Sequence, residues 1–144
     1  MAPKNPLHDA KSVPSKEALQ AFLGPARYRR FEVVYDELVD LDLTPKLQWS
    51  DAGRSWFHAF YFQKKPIFNI EWGIDYFYAS ISLNPALLSQ LVRDDAIASD
   101  TKALLQHGTA QQSKGLIQVE ANLEHSKEQE AFFDLLPILL KQVN

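Results

Sequence analysis

WFHAFYFQKKPIFNIEWGIDYFYASISL, Trp56 to Leu83, decides how this chain folds. The stretch is rich in aromatic and β-branched residues, which favour strands. Short turn signals break it into three runs, at Gln63-Lys64-Lys65-Pro66 and at Gly73-Ile74. Strands joined by such short turns pair antiparallel.

Each turn implies a register. With Lys64-Lys65 as loop residues, Phe60 faces Asn69 and His58 faces Glu71. With Gly73-Ile74 as a type II′ turn, Glu71 faces Tyr76 and Asn69 faces Tyr78. The two turns agree about the faces. One face collects Phe57, Ala59, Tyr61, Phe68, Ile70, Trp72, Phe77, Ala79, Ile81 and Leu83, and reads as a core face under helices. The other carries two rows, His58–Glu71–Tyr76 and Phe60–Asn69–Tyr78, with Trp56 beside them.

Aromatic walls with a few placed polar groups have the composition of a binding site. Trp56, His58, Phe60, Asn69, Glu71, Tyr76 and Tyr78 are therefore the candidate ligand-binding residues. A carboxylate among ring faces suits a cationic or aromatic small molecule. Two plainer readings stand beside this one. A helix covers the second face and leaves His58–Glu71 as an internal pair, or the face is a homodimer interface.

The rest of the chain supplies helices and one more strand region. Ser15 reads as an N-cap, Gly24 as a stop, and Pro25 as the first residue of a helix running to about Asp42. Tyr28, Phe31, Val34, Tyr35, Leu38 and Leu41 form its one-sided apolar stripe. Thr44-Pro45 ends it, and Lys46 to Asp51 alternates as a strand. Asn84-Pro85 opens a third helix, a fourth covers Asp95 to His107 and stops at Gly108, and Thr109 to Gly115 is loop-like. Leu116 to Leu123 alternates as the last strand. Ser126 with Gln129 reads as the capping box of a final helix that Pro137 kinks or divides. The order ααββββααβα defines an α+β class with a mostly antiparallel sheet of about five strands packed with helices. Residues 1–13 read as a flexible extension and 14–144 as a single domain.

Composition excludes several function classes. The net charge of −3 opposes non-specific nucleic-acid binding, and the basic residues Arg27, Arg29 and Arg30 are followed closely by Glu32, Asp36 and Glu37. The absence of cysteine removes disulfides, thiolate metal sites and a cysteine nucleophile. The histidines, His8, His58, His107 and His125, show no metal-ligand spacing, and no motif calls for a cofactor. Residues 1–17 lack the apolar core of a secretory signal, and no run is long enough for a transmembrane helix. A soluble cytoplasmic protein with no membrane partner is the expectation. Catalysis has one candidate arrangement: His58 and Glu71 as a base–orienter pair with a hydroxyl from Tyr76 or Ser80. No motif marks a nucleophile, so the balance leans away from an enzyme.

Three segments, LDLTPKLQWS (41–50), RSWFHAFYFQKKPIFNIEWGIDYFYASISL (54–83) and EANLEHSKEQE (120–130), resemble an uncharacterised bacterial family, domain of unknown function 3788. The resemblance runs from about Ser15 to Val143. It implies a compact α+β domain and brings no activity or catalytic residues.

Overall fold

A computed structural model describes residues 5–52, 54–72, 76–107, 109–111 and 115–143. The chain divides into two compact units, Met1–Pro66 and Ile67–Asn144. Its class is α+β, with five α-helices and six strands among the described residues. Every described strand pairing is antiparallel.

The first unit holds α1 (Lys16–Leu23), α2 (Pro25–Asp40), β1 (Thr44–Ser50) and β2 (Ser55–Phe62). The Ser15 hydroxyl accepts from the Ala18 amide at 3.0 Å, as an N-cap should. Gly24 ends α1 and begins α2 at φ +86° and ψ 152°, a conformation suited to glycine, with Pro25 in the first turn after it. Strands β1 and β2 form a hairpin in which Leu47 lies opposite His58 and Trp49 opposite Trp56. Pro45 sits inside β1 opposite Phe60. Thr44-Pro45 therefore starts a strand as well as following a helix.

Part of the expected N-terminal extension is anchored. Pro6–His8 forms a 3-10 turn with Leu7 buried, and the Trp56 indole Nε1 donates to the Asp9 carbonyl at 2.8 Å.

The turn after β2 falls one residue earlier than expected. Gln63 and Lys64 are its residues, at φ +50° and +69°, and β3 (Lys65–Trp72) begins directly after them. Positive φ at both positions is the mark of a type I′ turn.

The second unit contains most of β3, then β4 (Phe77–Leu83), α3 (Pro85–Arg93), α4 (Ser99–Gln106), β5 (Thr109–Gln111), β6 (Leu116–Asn122) and α5 (Ser126–Val143). Its strands run in the order β3-β4-β6-β5. The short strand β5 lies where a loop is expected from the sequence. Asn84 caps α3 by accepting from the Ala86 amide at 2.8 Å. Gly53, Gly73-Ile74 and Gly108, read above as turn and stop residues, lie outside the described residues.

The β3–β4 register corrects the expected rows. Glu71 lies opposite Tyr78 and Asn69 opposite Ser80, in place of Tyr76 and Tyr78. The displacement is two residues, one full side-chain period, so the faces are unchanged. Phe68, Ile70, Phe77, Ala79, Ile81 and Leu83 are buried, and the Phe68 ring meets Phe132 of α5 edge-on at 4.9 Å. The capping box at Ser126 does not form. Ser126 is already helical, the Gln129 amide N–H bonds the His125 carbonyl at 2.9 Å, and the Gln129 side chain donates to the Leu123 carbonyl at 3.0 Å. Helix α5 runs on through Pro137 to Val143.

Candidate functional site

The apolar stripe of α2 finds its partner on β2. Tyr28, Phe31, Val34 and Leu38 recur every three or four residues and are buried on one side of the helix. The Phe31 ring lies 5.0 Å from the His58 ring, and Tyr35 meets His58 at 6.1 Å and Phe60 at 6.0 Å, both edge-on. His58 is 6% exposed and Phe60 is fully buried. In this unit α2 thus covers the face of β2 that carries His58 and Phe60, as the helix-covered reading of that face has it. On the expected core face Ala59 is buried, while Tyr61 takes the Lys46 ammonium over its ring at 5.0 Å and a 2.7 Å hydrogen bond from Gln48.

A cavity of about 270 Å³ opens between these elements. Phe31, Tyr28 and Tyr35 of α2 wall it together with Leu19 of α1, Leu47 of β1 and Pro14. His58, itself buried, also lines it. Lys16, Glu32 and Asp36 supply its charges. The Lys16 ammonium and the Glu32 carboxylate stand 3.4 Å apart, both partly in solvent.

Burial sets the electrostatics. It pushes the His58 imidazole down to about 4, so the ring is neutral at pH 7. Burial raises Tyr28, with Lys16 opposing and Glu32 adding to the shift. Burial also raises Tyr35, helped by the charge on Asp36. The Lys16 ammonium is raised by its hydrogen bond and charge interaction with Glu32. The cavity thus combines aromatic walls, two carboxylates on exposed or half-exposed positions, and a buried, uncharged imidazole.

The remaining candidate residues fall into two places. Trp56 pairs with Trp49, centroids 5.8 Å apart, and ties to Asp9. In the second unit Asn69, Glu71, Tyr76 and Tyr78 gather on the face opposite the buried one. The rings of Tyr76 and Tyr78 are 5.5 Å apart. Burial raises the Glu71 carboxyl, opposed by a hydrogen bond with Ser80 and aided by Glu120. Tyr78 is pushed up to about 12 by burial, with Glu71, Glu120 and Tyr76 adding to it. Gln118 Nε2 donates to the Ser80 hydroxyl at 2.6 Å. Ser80 is thus engaged by both Glu71 and Gln118.

The sequence reading passed over Lys16, Tyr28, Phe31, Glu32, Tyr35 and Asp36 as site residues. One signal for them was present: Glu32 and Asp36 each stand beside an aromatic of the α2 stripe, one turn apart. Among the described residues no group of three or more His, Asp or Glu side chains is gathered to hold a metal, and no helix is long and apolar enough to cross a membrane. No family model, curated protein or solved structure matches the chain. The resemblance to domain of unknown function 3788 rests on the three quoted segments alone.

Proposed function

We propose that this chain is a small-molecule-binding module whose ligand, cationic or aromatic, sits in the cavity around His58. One observation carries the reading: a buried, uncharged imidazole and three aromatic rings of α2 surround a space that also contacts two carboxylates. Aromatic walls supply area and cation–π attraction, and the few polar groups supply orientation. The experiment is tryptophan fluorescence and thermal shift against cationic, aromatic and anionic small molecules, with His58→Phe alongside. Stabilisation by one class that is lost in a folded His58→Phe supports the reading. No response to any class from the unaltered protein sinks it.

A second reading, a non-catalytic interaction or homodimerising domain, is favoured by the Tyr76 ring, 37% exposed and packed against Tyr78. Light scattering on the protein and on Tyr76→Asp decides it. A dimer that Tyr76→Asp dissociates supports this reading, and a monomer in both removes it.

A further inference from the structure

Lys16 is oddly placed for a lysine. It is the first residue of α1, where the positive end of the helix dipole disfavours a cation. What it gains there is Glu32, 3.4 Å away on α2. That pair lies in solvent, with side-chain exposures of 64% and 37%, and an exposed ion pair of this kind is weak and readily exchanged. Beside it Asp36 adds a second carboxylate to the same cavity, one helical turn along from Glu32. The two acids outnumber the one ammonium, and the rings of Tyr28, Phe31 and Tyr35 line the space next to them.

We infer that Lys16 is a resident counter-cation, and that the cavity takes a planar organic monocation, of the amidinium or protonated aromatic amine class, which displaces Lys16 from Glu32. The ligand's charge faces Glu32 and Asp36 while its plane lies along the rings of α2. Such a cation gains hydrogen bonds charged on both sides and cation–π contact together; a neutral isostere offers the carboxylates only an uncharged donor and has no cation–π contact. Lys16 then acts as a specificity device. It holds anions and neutral molecules to their bare shape complementarity, and it leaves when a better cation arrives. The inference rests on the binding reading above and narrows its ligand class.

The test uses benzamidine, its neutral isostere benzamide and the anion benzoate, titrated by calorimetry into the whole chain, Lys16→Met, Glu32→Gln and Asp36→Asn. Lys16→Met keeps an apolar stem and removes the competing charge. The expected result is benzamidine binding about tenfold tighter than benzamide, with benzoate weakest. Lys16→Met should tighten benzamidine by about two- to fivefold and leave benzamide unchanged. Glu32→Gln and Asp36→Asn should each weaken benzamidine selectively. If benzamide binds as well as benzamidine, the cavity selects by shape alone; if Lys16→Met weakens the cation, Lys16 does not compete with it. Either result overturns the exchange and leaves the binding reading intact. If none of the three probes binds the protein or any variant, both readings fall.

Discussion

Phe31 and His58 lie ring against ring, 5.0 Å between centroids, across the contact of α2 with β2. That contact takes the imidazole out of water and makes it a titration sensor for the first unit. Its folded value is about 4 against an ordinary 6.5. The unfolded chain therefore takes up a proton at His58 as pH falls through 6.5, and the folded chain does not until about 4. The stability contributed by the neutral ring is complete above 6.5 and is lost as pH falls toward 4. The full loss is about 3 kcal/mol from the linkage relation. In urea titrations, His58→Phe should flatten stability across this window. An unchanged slope in His58→Phe would mean that some other group carries it.

Glu71 should show the opposite sign. Burial raises its folded carboxyl above the ordinary value. Its contribution is therefore present below the ordinary carboxylate value and lost as pH rises past it. Glu71→Gln, with no charge to desolvate, is expected to melt higher than the parent at pH 7, with the difference closing at low pH. A lower melting temperature at pH 7 would show that the bond to Ser80 outweighs the cost of burial.

The latch between the Trp56 indole and the Asp9 carbonyl predicts a local effect. Trp56→Phe keeps a ring against Trp49 and removes the donor. It should cost about 1 kcal/mol. Cleavage after Lys11 by trypsin should accelerate well before global unfolding does. Equal cleavage rates would mean the hydrogen bond does not hold residues 5–13 in place.

Gly24 separates backbone cost from crowding. Nothing lies within 4 Å of a Cβ built there, yet its φ is +86° with ψ 152°. Gly24→Ala should cost ~1–3 kcal/mol through strain alone. A neutral effect in chemical denaturation would indicate that the α1–α2 junction relaxes to an ordinary conformation.

The strand faces in the second unit were readable because side-chain alternation is insensitive to an even error. Glu71 faces Tyr78 where a two-residue turn at Gly73-Ile74 implies Tyr76, and both registers leave Ile70 and Phe77 on the buried side. The caps at Ser15 and Asn84 were readable because they depend on three or four adjacent residues. The placement of α2 was not. Its stripe of Tyr28, Phe31, Val34 and Leu38 announced that it must bury one side, but periodicity does not name the surface it meets. His58 and Phe60 lie on the expected face of β2, under a helix as the first of the two plainer readings has it; the strand pattern does not name that helix, because it comes from earlier in the chain. The cavity shared that fate, since it needs α1, α2 and both hairpin strands in place at once. Ser126 misled for a local reason: its side chain has the right type for a cap, but the helix had already begun.

The turn at Gln63-Lys64 also bears on how far this protein lies from its most durable form. Both residues hold a left-handed conformation that neither side chain favours, and neither is asparagine or glycine. Arg54, just before β2, shares the condition, whereas Asp42, also at positive φ, is of a type that tolerates it. A turn built of ill-suited residues leaves thermal tolerance unclaimed. Rewriting Gln63-Lys64 as Asn-Gly would touch nothing in the cavity, and it marks the first place to begin when hardening the molecule for use at elevated temperature.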